Sequence, residues 1–348
     1  MKKFLTLTIS MVMVLMLLVG CVPTQVHVCP EGGHPAPAPA PEEGAVKTGL
    51  AVLGSLDGSK SAAADESGIA KYDVTLVAVT VDANGVIEQC IIDGISSEVN
   101  FDAAGVVTTD LSAPVQTKNE LGENYGMKAY GGSKYEWNEQ AAALAEYAVG
   151  KTVNELKNGA INESGTAADA DLASVATIYL GGYVAAIEEA AKNADYLGAH
   201  TGDRLVLATM NDLGSSTNAD AENAGLAQLD VNVTTVTMNG DVITSCIIDG
   251  LQAKVNFDTT GTITSDVSAG VLSKNQLGAD YGMKAWGGAI AEWNEQAASF
   301  AKYVTGKTAA EVAGIAVNEQ TKPTDADLSS SVTIAVGGFQ ALLAKAAG

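Results

Sequence analysis

Residues 73–81 alternate apolar and polar side chains, with Val74 and Leu76 on one side, and this period of two predicts a strand. The turn Asp82-Ala83-Asn84-Gly85 follows, and residues 86–93 read as the returning strand. A second turn signal, Asp102-Ala103-Ala104-Gly105, separates a short strand at 97–101 from another at 106–110, so the first half of this region predicts an antiparallel meander. The period then changes. Over residues 135–149, Trp137, Ala141, Leu144, Ala145 and Ala148 fall at i, i+4, i+7, i+8 and i+11, one face of an amphipathic helix that Gly150 closes. A short helix at 153–157, a strand at 175–180, a Gly181-Gly182 turn and a helix at 183–191 complete the expected unit.

The same pattern recurs. Cys90-Ile91-Ile92-Asp93-Gly94 returns as Cys246-Ile247-Ile248-Asp249-Gly250, and the offset of 156 holds through Tyr125-Gly126-Met127-Lys128 and Glu136-Trp137-Asn138-Glu139-Gln140. Upstream the offset is 157, because the tighter turn Asn239-Gly240 replaces the first hairpin tip. The expected fold class is therefore α+β: two tandem copies of one domain, residues 46–194 and 195–348, each an antiparallel sheet followed by helices. A sheet, helices and a Trp in each copy lead to the expectation that each folds independently.

The start of the chain reads as an address. Lys2 and Lys3 precede an apolar stretch at 4–19, and Leu18-Val19-Gly20-Cys21 matches a lipobox, so residues 1–20 are expected to be a lipoprotein signal peptide and Cys21 the lipidated residue. Residues 21–45 form a Pro-rich tether in which Pro35-Ala36-Pro37-Ala38-Pro39-Ala40-Pro41 suits an extended spacer. The expected location is the cell membrane, lipid-anchored on the extracytoplasmic side. His27, Cys29 and His34 in the tether suit a metal site or simply a polar spacer, and no metal is expected. With 19 Lys+Arg against 41 Asp+Glu, net −22, the chain lacks the cations a nucleic-acid partner requires.

Familiar catalytic constellations are missing. Neither copy carries a His within its repeated elements, since His200 sits at the junction, which excludes nucleophile–His systems and His-containing zinc sites. Cys90 and Cys246 fall in apolar strands and read as small core residues. Gly150-Lys151-Thr152 imitates the end of a P-loop but closes a helix instead of opening one. No nucleophile–base pair is visible, so an enzyme is the least favoured class.

Two constellations remain. The first is the polar, aromatic loop before the long helix, with Tyr125, Met127 and Tyr130 in copy one and Tyr281, Met283 and Trp286 in copy two. Glycines there allow close backbone approach and aromatics offer stacking faces, although the same residues also suit an ordered loop that plugs the sheet edge. The second is Asp171, Ser174, Ala176 and Thr177, with twins Asp327, Ser330 and Thr333. These residues resemble the Asp-x-x-Ser-Gly-Ala-Thr signature of the FMN-binding domain family, with Val175 and Ser331-Val332 standing where the signature has Gly and Gly-Ala. The resemblance implies FMN held through Thr177 or Thr333 and used in electron transfer. Each copy as a whole also resembles tandem-repeat bacterial lipoproteins of uncharacterised function. The expected function is a membrane-anchored binding module for a flavin or another small ligand; the rival is a ligand-free structural lipoprotein that contacts other envelope proteins.

Overall fold

The structure is a computed structural model and describes residues 42–348. The expected signal peptide, Cys21 and the expected tether through residue 41 lie outside the described residues. Among the described residues, no helix is long and apolar enough to cross a membrane.

Three strands, β1 (Lys47–Ser55), β2 (Gly68–Val81) and β3 (Ile87–Phe101), form an antiparallel sheet in the order β1-β2-β3. Helices α1 (Lys118–Leu121), α2 (Trp137–Ala148), α3 (Val153–Gly159), α4 (Ala170–Val175) and α5 (Gly181–Lys192) follow. The second copy repeats the layout: β4 (Arg204–Asp212), β5 (Gly225–Asn239) and β6 (Val242–Phe257), then α6 (Lys274–Leu277), α7 (Met283–Gly287), α8 (Trp293–Val304), α9 (Ala309–Ala313), α10 (Ala326–Ser329) and α11 (Gly337–Ala347). The α+β duplication thus holds.

Several local expectations are corrected. Strand β1 carries no alternating signal because both of its faces are covered, so its central residues are uniformly buried. The strands expected at 86–93 and 97–101 are one continuous strand, in which Gly94 pairs with Thr75. Residues 106–110 contribute only an isolated bridge, Phe101 with Val107. The strand expected at 175–180 is absent, because α4 runs through Val175, and Gly181 opens α5 instead of a turn.

The two copies also share a core. The described residues form one compact unit, and the two sheets pack face to face. Along β2, Ala70, Tyr72, Val74 and Leu76 enter this shared core, while Val77, Val79 and Val81 face the helices of their own copy. The second sheet answers with Leu229, Val231, Leu251 and Val255. The order of layers is helices, sheet, sheet, helices. In the shared core, at the ends of β3 and β6, Phe101 and Phe257 stack with ring centroids 4.1 Å apart and planes 4° from parallel. Each ring lies against a glycine of the neighbouring strand: a Cβ on Gly68 would come within 2.2 Å of Phe101, and one on Gly225 within 2.2 Å of Phe257.

The hairpin tips exchange bonds reciprocally. Ala62 N donates to Gly261 O and Ala219 N to Gly105 O, both at 2.8 Å. Ile263 N donates to Ser61 Oγ and Val107 N to Asn218 Oδ1, both at 2.9 Å. These are loop-to-loop contacts between distant segments, which no local period in the sequence announces.

One group in the shared core is unsatisfied. Tyr72 is fully buried, its hydroxyl has no hydrogen-bond partner, and burial pushes its ionisation well above the usual phenol range. Its structural twin is Leu229. Because an orphaned buried hydroxyl costs roughly 1–3 kcal/mol, Tyr72→Phe is expected to stabilise the protein by about 1 kcal/mol or more. Urea midpoints of the two proteins check this, and a variant no more stable than the parent would show that the hydroxyl is satisfied.

Candidate functional site

The Glu-Trp-x-Glu-Gln segment that opens α2 organises the aromatic loop from below. Glu136 is 2% exposed, and its carboxylate accepts the backbone N–H of Met127 at 2.8 Å and of Lys128 at 3.0 Å. Its own N–H donates to Glu139 Oε2 at 2.7 Å, the reciprocal cap that starts the helix. Glu139 in turn pairs with Lys128 Nζ at 2.9 Å. Gln140, fully buried, accepts from Thr177 N at 2.7 Å, Thr177 Oγ1 at 3.2 Å and Ile178 N at 3.2 Å. Copy two repeats the clasp through Glu292, Gln296 and Thr333. In copy one Gln140 Nε2 also donates to Met127 Sδ at 3.9 Å, so this glutamine joins both constellations; Gln296 Nε2 donates instead to Ala291 O at 2.8 Å.

Above this frame, copy one opens a cleft of about 470 Å³ lined by Thr75, Lys118, Tyr125, Met127, Tyr179 and Tyr183. Trp137 forms a further wall, and its indole N–H donates to the Tyr183 hydroxyl at 3.0 Å. Lys118 Nζ lies 5.1 Å from the ring centroids of both Tyr125 and Trp137. Among the described residues, no carboxylate pairs with that ammonium. Its charge rests on ring faces, which suits an incoming anion as well as it suits the aromatics. Thr177 is exposed and immediately precedes Ile178, which lines the cleft.

The other predicted residues fall in different places. Tyr130 is 92% and Trp286 89% exposed, each ring lying against a glycine (Gly126 and Gly282), and neither lines the cleft. Asp171 and Asp327 sit exposed in the first turns of α4 and α10. Ser174 and Ser330 donate back to the carbonyls of Asp171 and Asp327, both at 2.7 Å. Val175, where the family signature has glycine, continues α4. Only Thr321 among the described non-glycine residues has positive φ, so no glycine conformation is called for at Val175. Tyr281 and Met283 occupy the matching loop of copy two, but Ala335 and Phe339 stand where copy one has Tyr179 and Tyr183, and Thr333 is half-buried. Sequence reasoning missed Tyr179 and Tyr183. Their signal was the divergence between copies at those two positions, beside an otherwise shared Gly-Gly pair.

Nearby, each sheet buries an aspartate that pins the short helix before the loop. Asp93 Oδ1 accepts from Gly94 N at 2.7 Å and Asn119 N at 3.0 Å, and Asp249 does the same with Gly250 N and Asn275 N. Burial raises both; Asp249 is pushed up to about 6 despite these bonds and the nearby Lys274. Burial also lowers Lys274, whose ammonium lies 4.8 Å from the Trp293 ring. Cys90 and Cys246 are free, and burial pushes both thiols up to about 12, which disfavours the reactive thiolate. Among the described residues, no group of three or more His, Cys, Asp or Glu is arranged to hold a metal ion.

The raised aspartate has a consequence for stability. Between pH 4 and 6 the folded protein holds a proton on Asp249 that the unfolded chain has released, so stability falls as pH rises through this window. Asp249→Asn keeps an oxygen acceptor and removes the charge. It is expected to flatten this part of the profile and to exceed the parent by roughly 2 kcal/mol above pH 6. Denaturant midpoints across pH 4 to 7 check it; parallel profiles for parent and variant would contradict it.

No protein-family profile matches the chain, and no curated protein or solved structure matches it.

Proposed function

We propose that the protein is a lipid-anchored extracytoplasmic binding module and that the cleft of its first copy takes a flat aromatic anion, FMN being the candidate. The observation that carries this reading is the convergence at one cleft of Tyr125, Met127, Tyr179 and Tyr183 with the Lys118 ammonium, beside the exposed Thr177. Aromatic and thioether faces favour a planar ring system, and Lys118 favours a negative charge next to it. Thr177 Oγ1 is the hydroxyl available for a phosphodiester, while Tyr125, Met127 and Tyr179 would hold the ring. A bound flavin would supply one- and two-electron transfer; the residues themselves bind, orient and screen the ring from water. The second copy, with Ala335 and Phe339, lacks two of the polar aromatic walls, so one flavin per chain is the expected stoichiometry.

A second reading has its own support. Glu136, Glu139 and Gln140 spend their polar atoms on the loop and on Thr177, as their twins do, which is what a purely structural motif would do. A ligand-free envelope protein would need nothing more.

Titration with FMN separates the two. The binding reading expects quenched flavin fluorescence at one equivalent, with Tyr179→Ala and Lys118→Met each weakening binding about tenfold or more, roughly 1.4 kcal/mol. Production with a flavin transferase should add one FMN mass to the parent and none to Thr177→Ala. Absence of both covalent and reversible binding in folded protein would leave the structural reading.

A further inference from the structure

A larger cavity lies elsewhere, on the outer edge of the second sheet. It encloses about 740 Å³ between β6 and α8, and the junction residues Tyr196 and Leu197 form its outer wall. Cys246, Ile247 and Ile248 make the floor, and Ala298 and Ala301 leave room beneath the helix. That volume suits a ligand of drug-like size, and the lining is mostly apolar with a few polar groups, as ligand cavities are.

Two polar groups that line this cavity lack partners. Asn294 Oδ1 is buried without a hydrogen-bond partner and lines this cavity, as its twin Asn138 Oδ1 is in the smaller hollow of copy one. A buried amide oxygen left unpaired is costly and calls for a donor. Lys302 is exposed at the same cavity and makes no ion pair among the described residues. Lys47 adds a second cation behind the wall, its ammonium 5.2 Å from the Tyr196 ring. Asn294 and Lys302 stand eight positions apart on α8, about 12 Å along the axis. A neighbouring hollow of about 440 Å³ shares Ile247 and Asn275 and is lined by Glu189 and Asp249, so the end away from Lys302 is acidic.

The duplication supplies an internal control. The equivalent hollow in copy one, lined by Cys90, Ile91, Ile92 and Asn138, holds only about 320 Å³. There Glu146 stands at the position of Lys302 and Val149 at that of Thr305. The adjoining space also differs between halves. At the position of Glu189 copy two has Lys345, which donates to Thr209 O at 2.7 Å and pairs with Glu120, thereby bridging the two copies. In the other half Glu189 and Gln276 line the hollow, and Glu189 pairs within its own helix, with Lys192 at 3.3 Å. The seam on this side is held by other contacts: Thr48 Oγ1 and Ser245 Oγ lie 2.7 Å apart, and Val271 N donates to Gly54 O at 2.9 Å.

We infer that the cavity between β6 and α8 is a second binding site, separate from the flavin cleft, for an elongated amphiphile with an apolar body, an anionic group at the Lys302 end and a hydrogen-bond donor at the Asn294 end. The acidic neighbours Glu189 and Asp249 set the orientation by repelling the anionic end. Lys302 supplies the attraction at the opposite end, and the alanines and isoleucines take the chain.

Calorimetry with three probes of similar length tests this: ω-hydroxydecanoate, decanoate and decane-1,ω-diol. The folded parent is expected to bind the hydroxy acid at one equivalent and more tightly than either of the others. Lys302→Glu, which copies the rim of the first repeat, should weaken both acids at least about fivefold and leave the diol unchanged. Asn294→Leu should abolish the preference for the hydroxy acid over decanoate. No binding of any probe to folded parent protein would overturn the inference. So would equal weakening of acid and diol by Lys302→Glu, or a preference for the hydroxy acid that survives Asn294→Leu in a variant with the parent's thermal transition.

Discussion

The stacked pair Phe101 and Phe257 marks the constraint on which the rest of the molecule depends: two three-stranded sheets that must cover one another. A three-stranded meander with helices on one face leaves its other face apolar, and here that face carries Tyr72, Leu76, Ile95 and Val99. Exposing it to water would cost on the order of 25 cal/mol for each Å². The second copy is the lid for the first, and the first for the second. Stacking two rings flat requires the sheets to approach closely at that point, and Gly68 and Gly225 provide the space.

Duplication then allows divergence. The shared frame, in which Glu136 and Gln140 or their twins Glu292 and Gln296 clasp loop and turn, keeps both halves in one conformation. With the frame held, side chains on the outer surfaces change at little structural cost. Tyr179 and Tyr183 furnish a cleft on one side, whereas Ala335 and Phe339 leave the other side without those hydroxyls. Lys345 bridges one inter-copy seam, whereas its counterpart Glu189 pairs with Lys192 of its own helix. The two halves are alike in what folds them and unlike in what they present to solvent.

The sequence disclosed what is periodic and what is repeated. The meander, the helix of Trp137 and the constant offset were all readable, because an amphipathic face and a copied motif each leave a local trace. Strand β1 was not, since a strand covered on both faces does not alternate. The shared core was also hidden: Val74 and Leu76 read as inward-facing, but nothing in their spacing says whether a helix or a second sheet covers them. Of the aromatic loop, Tyr125 and Met127 line the cleft, yet Tyr130 and Trp286 point into solvent, while the walls opposite Tyr125 come from Tyr179 and Tyr183, some fifty residues downstream. Composition identifies aromatic residues; only the chain path tells which of them meet.

The central claim is that the two copies form one cooperative body, and unfolding of residues 46–194 alone tests it most directly. That fragment should lack a cooperative thermal transition as a monomer and should expose the face around Phe101 to a hydrophobic dye. The full protein should melt in one transition, which Phe257→Ala lowers for both halves together, by about 3–5 kcal/mol. A monomeric fragment that melts cooperatively with the stability of the whole, or a full-length variant in which Phe257→Ala unfolds the second copy while leaving the first intact, would contradict the account.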